Sequence, residues 1–201
     1  MNNKQREITG FLYCTSLLES KTAALYEKLA SKISLPLIRS MLSQMAHDSR
    51  KHSDIFKGVY EELEKSVDKP RDCQRRLSQI WSVPEDISHE ISKKTPSESE
   101  LAEIVEKLVP FETRMGEEYY VLVQAKTLTF MTEQIEQDYG LSLRNVKGIL
   151  QSVIRDEEKH QDILTQVARM LKARKLEKQR KDPFVKYQSP DSWMVPPSQT
   201  S

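Results

Sequence analysis

The ten residues RDEEKHQDIL, Arg155 to Leu164, decide how this chain is read. Glu157 and His160 are three apart, so a helix places both on one face, where both can reach one point. The apolar positions around them, Val146, Leu150, Val153, Leu164, Val167 and Leu171, advance by threes and fours. The pair therefore falls on the inward stripe of a long helix rather than on its solvent side. A carboxylate placed there needs a charge partner or a metal ion, because burial strips away its hydration.

Working outward, three more stripes of the same period appear. The segment before it follows Leu101, Val105, Leu108, Glu112, Met115, Tyr119, Leu122, Lys126 and Thr129. The first segment of the chain follows Leu12, Thr15, Glu19, Thr22, Tyr26, Leu29 and Ile33, and the second follows Ile38, Leu42, Met45, Ser49, His52, Phe56, Val59 and Leu63. Each stripe is polar near its middle. Glu19 and Glu112 are each followed seven residues later by a tyrosine, Tyr26 and Tyr119, and each hairpin carries a histidine, His52 or His160, on its second helix. The halves thus repeat one scheme.

Punctuation supports four helices in two hairpins. Ser34 ahead of Leu35 and Pro36 marks a helix start, since proline is tolerated in a first turn. Thr95, Pro96 and Glu98 fit a capping box. Gly140 suits a left-handed stop and Ser142 a cap for the last helix. The stretch Lys65 to Lys94, with Pro70, Pro84 and an exposed-looking Trp81, has room for two short helices and is long enough to carry the chain back along the bundle. Pro110 should kink the third long helix. The expected fold class is all-α: a four-helix bundle of two antiparallel hairpins joined by one long crossover, the ferritin-like topology. Residues 1–178 are expected to form that domain and 179–201 a tail rich in Pro, Ser and Gln without a fold of its own.

Composition excludes several function classes. The chain has 201 residues, 31 basic and 30 acidic, so its net charge of +1 gives no general pull towards nucleic acid or anionic membrane. Nucleic acid is not an expected partner. The basic run Arg169 to Lys181 reads as a solvated helix end. No apolar run approaches the roughly 18 residues of a membrane span, and no signal-type segment follows the polar start, so the expected location is cytoplasmic. Cys14 and Cys73 stand apart with no CxxC pair, which excludes a rubredoxin-like iron site or a zinc ribbon and argues against a disulfide framework. Cys14 reads as a small buried hydrophobe, and His47 and His89 read as surface residues.

Di-iron carboxylate bundles use one Glu from each of two helices and a Glu-x-x-His from each of the other two. Glu19, His52, Glu112, Glu157 and His160 supply five of those six ligands at matching places. On these residues the chain, from about 8 to 172, resembles the rubrerythrin-type branch of the ferritin-like superfamily. RDEEKHQDIL is similar to its second metal motif, and LLESKTAALYEKLA (17–30) and FETRMGEEYY (111–120) to its carboxylate-donating helices. AHDSRKHSDIF (46–56) is similar to its first metal motif, with His52 in place but Ser49 where the pattern has Glu.

The resemblance implies a di-iron centre, or a single iron, with manganese also accepted and zinc compatible by ligand type. Glu19 and His52 would hold one ion, Glu112 and His160 the other, and Glu157 would bridge. Tyr26 and Tyr119 would hold ligand carboxylates or carry a proton or electron. The implied activity is oxidoreductase chemistry, peroxidase- or ferroxidase-like, with peroxide or O₂, or iron handling. An external electron-donor protein and a homodimer are the expected partners, beside the small oxidant. The competing expectation is a metal-poor bundle serving as a binding or structural module, which Ser49 favours by removing one negative charge.

Overall fold

The computed structural model describes residues 3–63, 71–94, 96–124, 133, 137 and 143–181. The elements are α1 (Asn3–Lys32), α2 (Pro36–Leu63), α3 (Cys73–Leu77), a 3₁₀ turn (Ser78–Trp81), α4 (Val83–Lys93), α5 (Glu98–Gln124) and α6 (Leu143–Lys181). No strand occurs among the described residues. The stripes are buried as their period predicts, from Leu12 to Ile33 on α1, Ile38 to Phe56 on α2, Leu101 to Leu122 on α5 and Leu150 to Leu171 on α6. Val59 and Leu63 are half-buried. Lys126, Thr129, Gly140, Ser142, the side chain of Val146 and the tail from 182 onward lie outside the described residues.

Side-chain pairs fix the helix directions. Between α1 and α2, Ile33 meets Arg39, Glu27 meets Arg50 and Ser16 meets Ser53, so these helices are antiparallel. Between α5 and α6, Glu98 pairs with Arg174, Glu106 with Lys172 and Glu112 with His160, again antiparallel. Across the hairpins Tyr26 meets Glu112 and Tyr119 meets Glu19, so α1 opposes α5 and α2 runs parallel to it. That is the ferritin-like arrangement, and the long crossover is what permits it.

The ends depart from expectation in detail. The guanidinium of Arg39 closes the α1 terminus by donating from Nε and Nη2 to the Ile33 carbonyl at 3.1 and 3.0 Å. The capping box at α5 sits two residues later than the sequence suggested. Ser97 Oγ accepts from the Glu100 amide at 3.3 Å, and Glu100 Oε2 accepts from the Ser97 amide at 2.8 Å, so Pro96 precedes the helix. α5 continues through Pro110 to Gln124.

The crossover is tied to α1. Lys21 Nζ lies 3.4 Å over the Trp81 ring and 2.9 Å from Glu85, so Trp81 is half-buried rather than exposed. Lys28 donates to the Ser88 carbonyl at 2.7 Å. Arg76 packs where a Gly10 side chain would stand, its Cζ 2.5 Å from the position of a Cβ there. The cysteines correct the sequence reading: Cys14 and Cys73 form a disulfide, with Cα atoms 5.1 Å apart. They are 59 positions apart, and only the fold of the crossover back onto α1 brings them together. No described helix is long and apolar enough to cross a membrane. A disulfide of this kind persists in oxidising surroundings and is rare in a reducing cytosol.

Candidate metal centre

The four long helices bring Glu19, His52, Glu112, Glu157 and His160 together in the middle of the bundle, each at most 1% exposed. Each arrives by its stripe: one inward carboxylate on α1, one on α5, a histidine on α2, and the Glu157–His160 pair on α6. Gly116 on α5 faces Glu157, and a Cβ placed there would stand 3.4 Å from the Glu157 Cβ. Its bare backbone lets α6 approach.

The five residues form two overlapping sets. Glu19, His52 and Glu157 offer one ligand atom each, all within 4.8 Å of one another, and so do Glu112, Glu157 and His160. Both imidazoles turn Nδ1 inward. His52 Nδ1 lies 2.9 Å from Glu157 and 3.5 Å from Glu19, and His160 Nδ1 lies 3.3 Å from Glu112 and 3.7 Å from Glu157. The two rings face each other at 5.9 Å between centroids.

The tyrosines tie the hairpins crosswise. Tyr119 on α5 donates from Oη to Glu19 on α1 at 2.7 Å, and Tyr26 on α1 donates to Glu112 on α5. Burial and the adjoining carboxylates raise both phenol pKa values, so the protons stay at Oη.

Two further aspartates flank the histidines. His52 Nε2 lies 3.3 Å from Asp156, and His160 Nε2 lies 3.6 Å from Asp48. Each aspartate faces the histidine of the other hairpin, Asp156 within hydrogen-bonding distance and Asp48 just beyond it. Lys51 joins them on the outside, at 3.0 Å from Asp48 and 2.8 Å from Asp156. Although partial burial opposes it, Lys159, Lys51 and His52 hold the Asp156 carboxyl well below the usual range. The repeated spacing Asp-x-x-x-His, at 48–52 and 156–160, was the available signal.

Burial alone would depress His52, but Glu157 and Glu19 outweigh it and push the pKa up to about 10. His160, opposed by burial but held by Glu112 and Glu157, rises to about 11. Burial and the charges of Glu19 and Glu112 raise Glu157 to about 8. Glu112, despite burial, is held below the ordinary carboxylate value by Glu157 and His160. Without a cation, the cluster balances its charge by holding protons on both histidines and on Glu157.

Hydrogen bonding does not complete it. Glu19 Oε2, both Glu157 oxygens, His52 Nδ1 and His160 Nε2 are buried without a hydrogen-bond partner, the 2.9 Å approach of His52 to Glu157 being misaligned for one and Asp48 standing too far from His160 for another. Unpartnered buried acceptors are costly. A cation among two carboxylate oxygens and an imidazole nitrogen per set would satisfy those that face it, so the residues present fit a metal ion.

The other candidates are placed as follows. His47 and His89 are exposed. In the basic run, Lys172 and Arg174 pair with Glu106 and Glu98, and Lys175 donates to Ser99 at 2.8 Å, so these cations serve the α5–α6 hairpin.

The family model described as Rubrerythrin matches residues 12–120, from α1 into α5, and the Glu157–His160 pair lies beyond that span. No curated protein and no solved structure matched.

Proposed function

This chain belongs to the rubrerythrin family, and we propose that its buried carboxylate–histidine cluster is a non-haem di-metal centre that reacts with peroxide or O₂ or handles iron. The observation that carries this reading is the pair of overlapping three-residue sets sharing Glu157, with buried oxygens that nothing else satisfies. Glu19, His52 and Glu157 would hold one ion and Glu112, His160 and Glu157 the other. Carboxylate and imidazole donors suit iron first and manganese second. When bound, such an ion supplies one-electron redox chemistry and Lewis acidity towards a small oxidant.

The chain's own residues do the rest. Asp156 orients the His52 imidazole from outside, so that its Nδ1 stays directed at the centre, and the Asp48 carboxylate lies 3.6 Å behind His160. Tyr119 and Tyr26 hold the Glu19 and Glu112 carboxylates and keep a phenolic proton beside each, ready to leave with an electron. The bundle core excludes bulk water. Electrons come from a separate donor protein, and the working unit is a homodimer in the cytoplasm; a cytoplasmic setting requires that the Cys14–Cys73 bond resist reduction there.

The direct test is metal content of protein purified without chelator. Close to two iron or manganese ions per chain is expected. A chain that stays empty and whose melting temperature ignores added Fe(II) or Mn(II) is instead a metal-poor binding or structural module.

The protons held by the metal-free centre predict a pH dependence. His52, His160 and Glu157 all have raised pKa values, so the stability they contribute is full below their ordinary values of 6.5 and 4.5. It is lost as pH rises through about 8 for Glu157 and about 10 and 11 for the histidines. Metal binding needs the deprotonated donors, so it gains over the same range. Melting temperatures with Mn(II) and with EDTA, taken under argon at pH 6, 7.5 and 9, should diverge as pH rises. A constant gap would overturn the proton-holding account.

A further inference from the structure

The two halves of the centre are equivalent in everything but one residue. Asp48-Ser49-Arg50-Lys51-His52 on α2 aligns with Asp156-Glu157-Glu158-Lys159-His160 on α6. Each aspartate faces the opposite histidine, Asp156 within hydrogen-bonding distance of His52 and Asp48 at 3.6 Å from His160, and both histidines turn Nδ1 inward. Ser49, which stands where α6 has Glu157, is buried at 1% exposure. The α2 half therefore brings the inward imidazole of its pair to the centre but no second shared carboxylate.

Charge and hydrogen bonding both point to what belongs there. Glu19, Glu112 and Glu157 bring three negative charges to a centre that, on the reading above, holds two divalent ions. One positive charge is left unmatched by the carboxylates that would touch the ions, Asp48 and Asp156 lying behind the imidazoles, and a buried charge is costly. Glu157 also leans to one side, 2.9 Å from His52 by one oxygen and 3.7 Å from His160 by the other. The part of a glutamate that serine lacks is a methylene and a carboxyl group. Its equivalent in solution is a one- or two-carbon carboxylate.

We infer that Ser49 leaves the second shared position to an external carboxylate-type monoanion, formate, acetate or hydrogen carbonate in size, which this chain takes up together with its metal ions. The inference rests on the di-metal reading. It makes the centre a site for a small acid, whether as a co-ligand or as a substrate's carboxylate group. Metal and anion then bind with reciprocal coupling, each raising the other's affinity by the same factor.

Co(II) is a suitable probe, because its visible absorption reports its ligands and it is not oxidised readily. Full-length protein is titrated with Co(II) in sodium formate and, separately, in sodium chloride at equal ionic strength. Formate is expected to raise the apparent Co(II) affinity by roughly tenfold over chloride and to change the Co(II) spectrum. It should not shift the melting temperature of the metal-free chain. Ser49→Ala keeps the formate effect, since the hydroxyl is not the ligand. Ser49→Glu binds Co(II) tightly without formate and loses the effect. Ser49→Gln fills the space without charge, and so loses the effect without tightening metal binding; it also serves if the metal-free glutamate variant does not fold. Formate acting no better than chloride on the parent, or acting equally on the Gln and Ala variants, would overturn the inference. Co(II) binding without a formate effect removes this inference alone, whereas no Co(II) binding in either salt removes the di-metal reading with it.

Discussion

Replacing Glu157 by Gln is expected to empty the centre of both ions while leaving the metal-free fold as stable as the parent at pH 6. Glu157 belongs to both three-residue sets, so each ion loses a charged donor at once. Loss of an outer partner of a ligand already costs about 10–100-fold in affinity, and loss of a shared ligand should exceed that for each ion. The metal-free chain behaves differently. Its Glu157 is raised to about 8 and carries a proton at neutral pH, which the amide imitates in size and charge. As pH rises through about 8 the parent must ionise a buried carboxyl beside Glu19 and Glu112, and the variant need not. The variant should therefore melt higher than the parent at pH 9 when both are metal-free. Metal per chain by elemental analysis, with melts in EDTA at the two pH values, checks both halves of the expectation. A variant that retains two ions would remove Glu157 from the centre.

The second large effect belongs to the disulfide. Cys14 and Cys73 close a loop with a sequence separation of 59, and the chain-entropy relation for that length gives about 4 kcal/mol of stabilisation. For a chain of this size that corresponds to a melting temperature roughly 8–16 °C lower after reduction, or in a Cys14→Ala, Cys73→Ala variant. The metal content should not follow it down. Glu19 is held by its hydrogen bond from Tyr119 and by the α1–α2 packing, neither of which involves the crossover. Calorimetry with and without a phosphine reductant, with metal analysis of the same samples, tests the separation. Loss of metal on reduction would show that the crossover positions α1 as well as stabilising it.

The centre was legible in the sequence because it is built from period. Glu19, His52, Glu112, Glu157 and His160 lie on stripes whose apolar members must be inside, so their burial follows from the helix repeat alone. What lay beyond reach depends on pairing between stripes or on local competition. Cys14 and Cys73 meet through the path of the crossover, which spacing does not encode. Thr95 with Glu98 and Ser97 with Glu100 both fit the capping pattern, and the helix starts at the later pair. Asp48 does point away from its own stripe, as the helical wheel requires. Its partner is the histidine of the other hairpin, and one helix considered alone cannot show that.

The crosswise ties of Tyr26 to Glu112 and Tyr119 to Glu19 have a consequence for how such a chain can change over generations. They show that each half completes the other, as two copies of a single hairpin would in a symmetric pair. In such a pair every substitution appears twice, and exchanging a bridging glutamate for serine would strip both bridges from the centre in one step. Once both hairpins are encoded in one chain, a mutation touches one half only. Ser49 opposite Glu157 is the kind of lopsided pair that two hairpins in one chain can carry and a symmetric pair of identical hairpins could not.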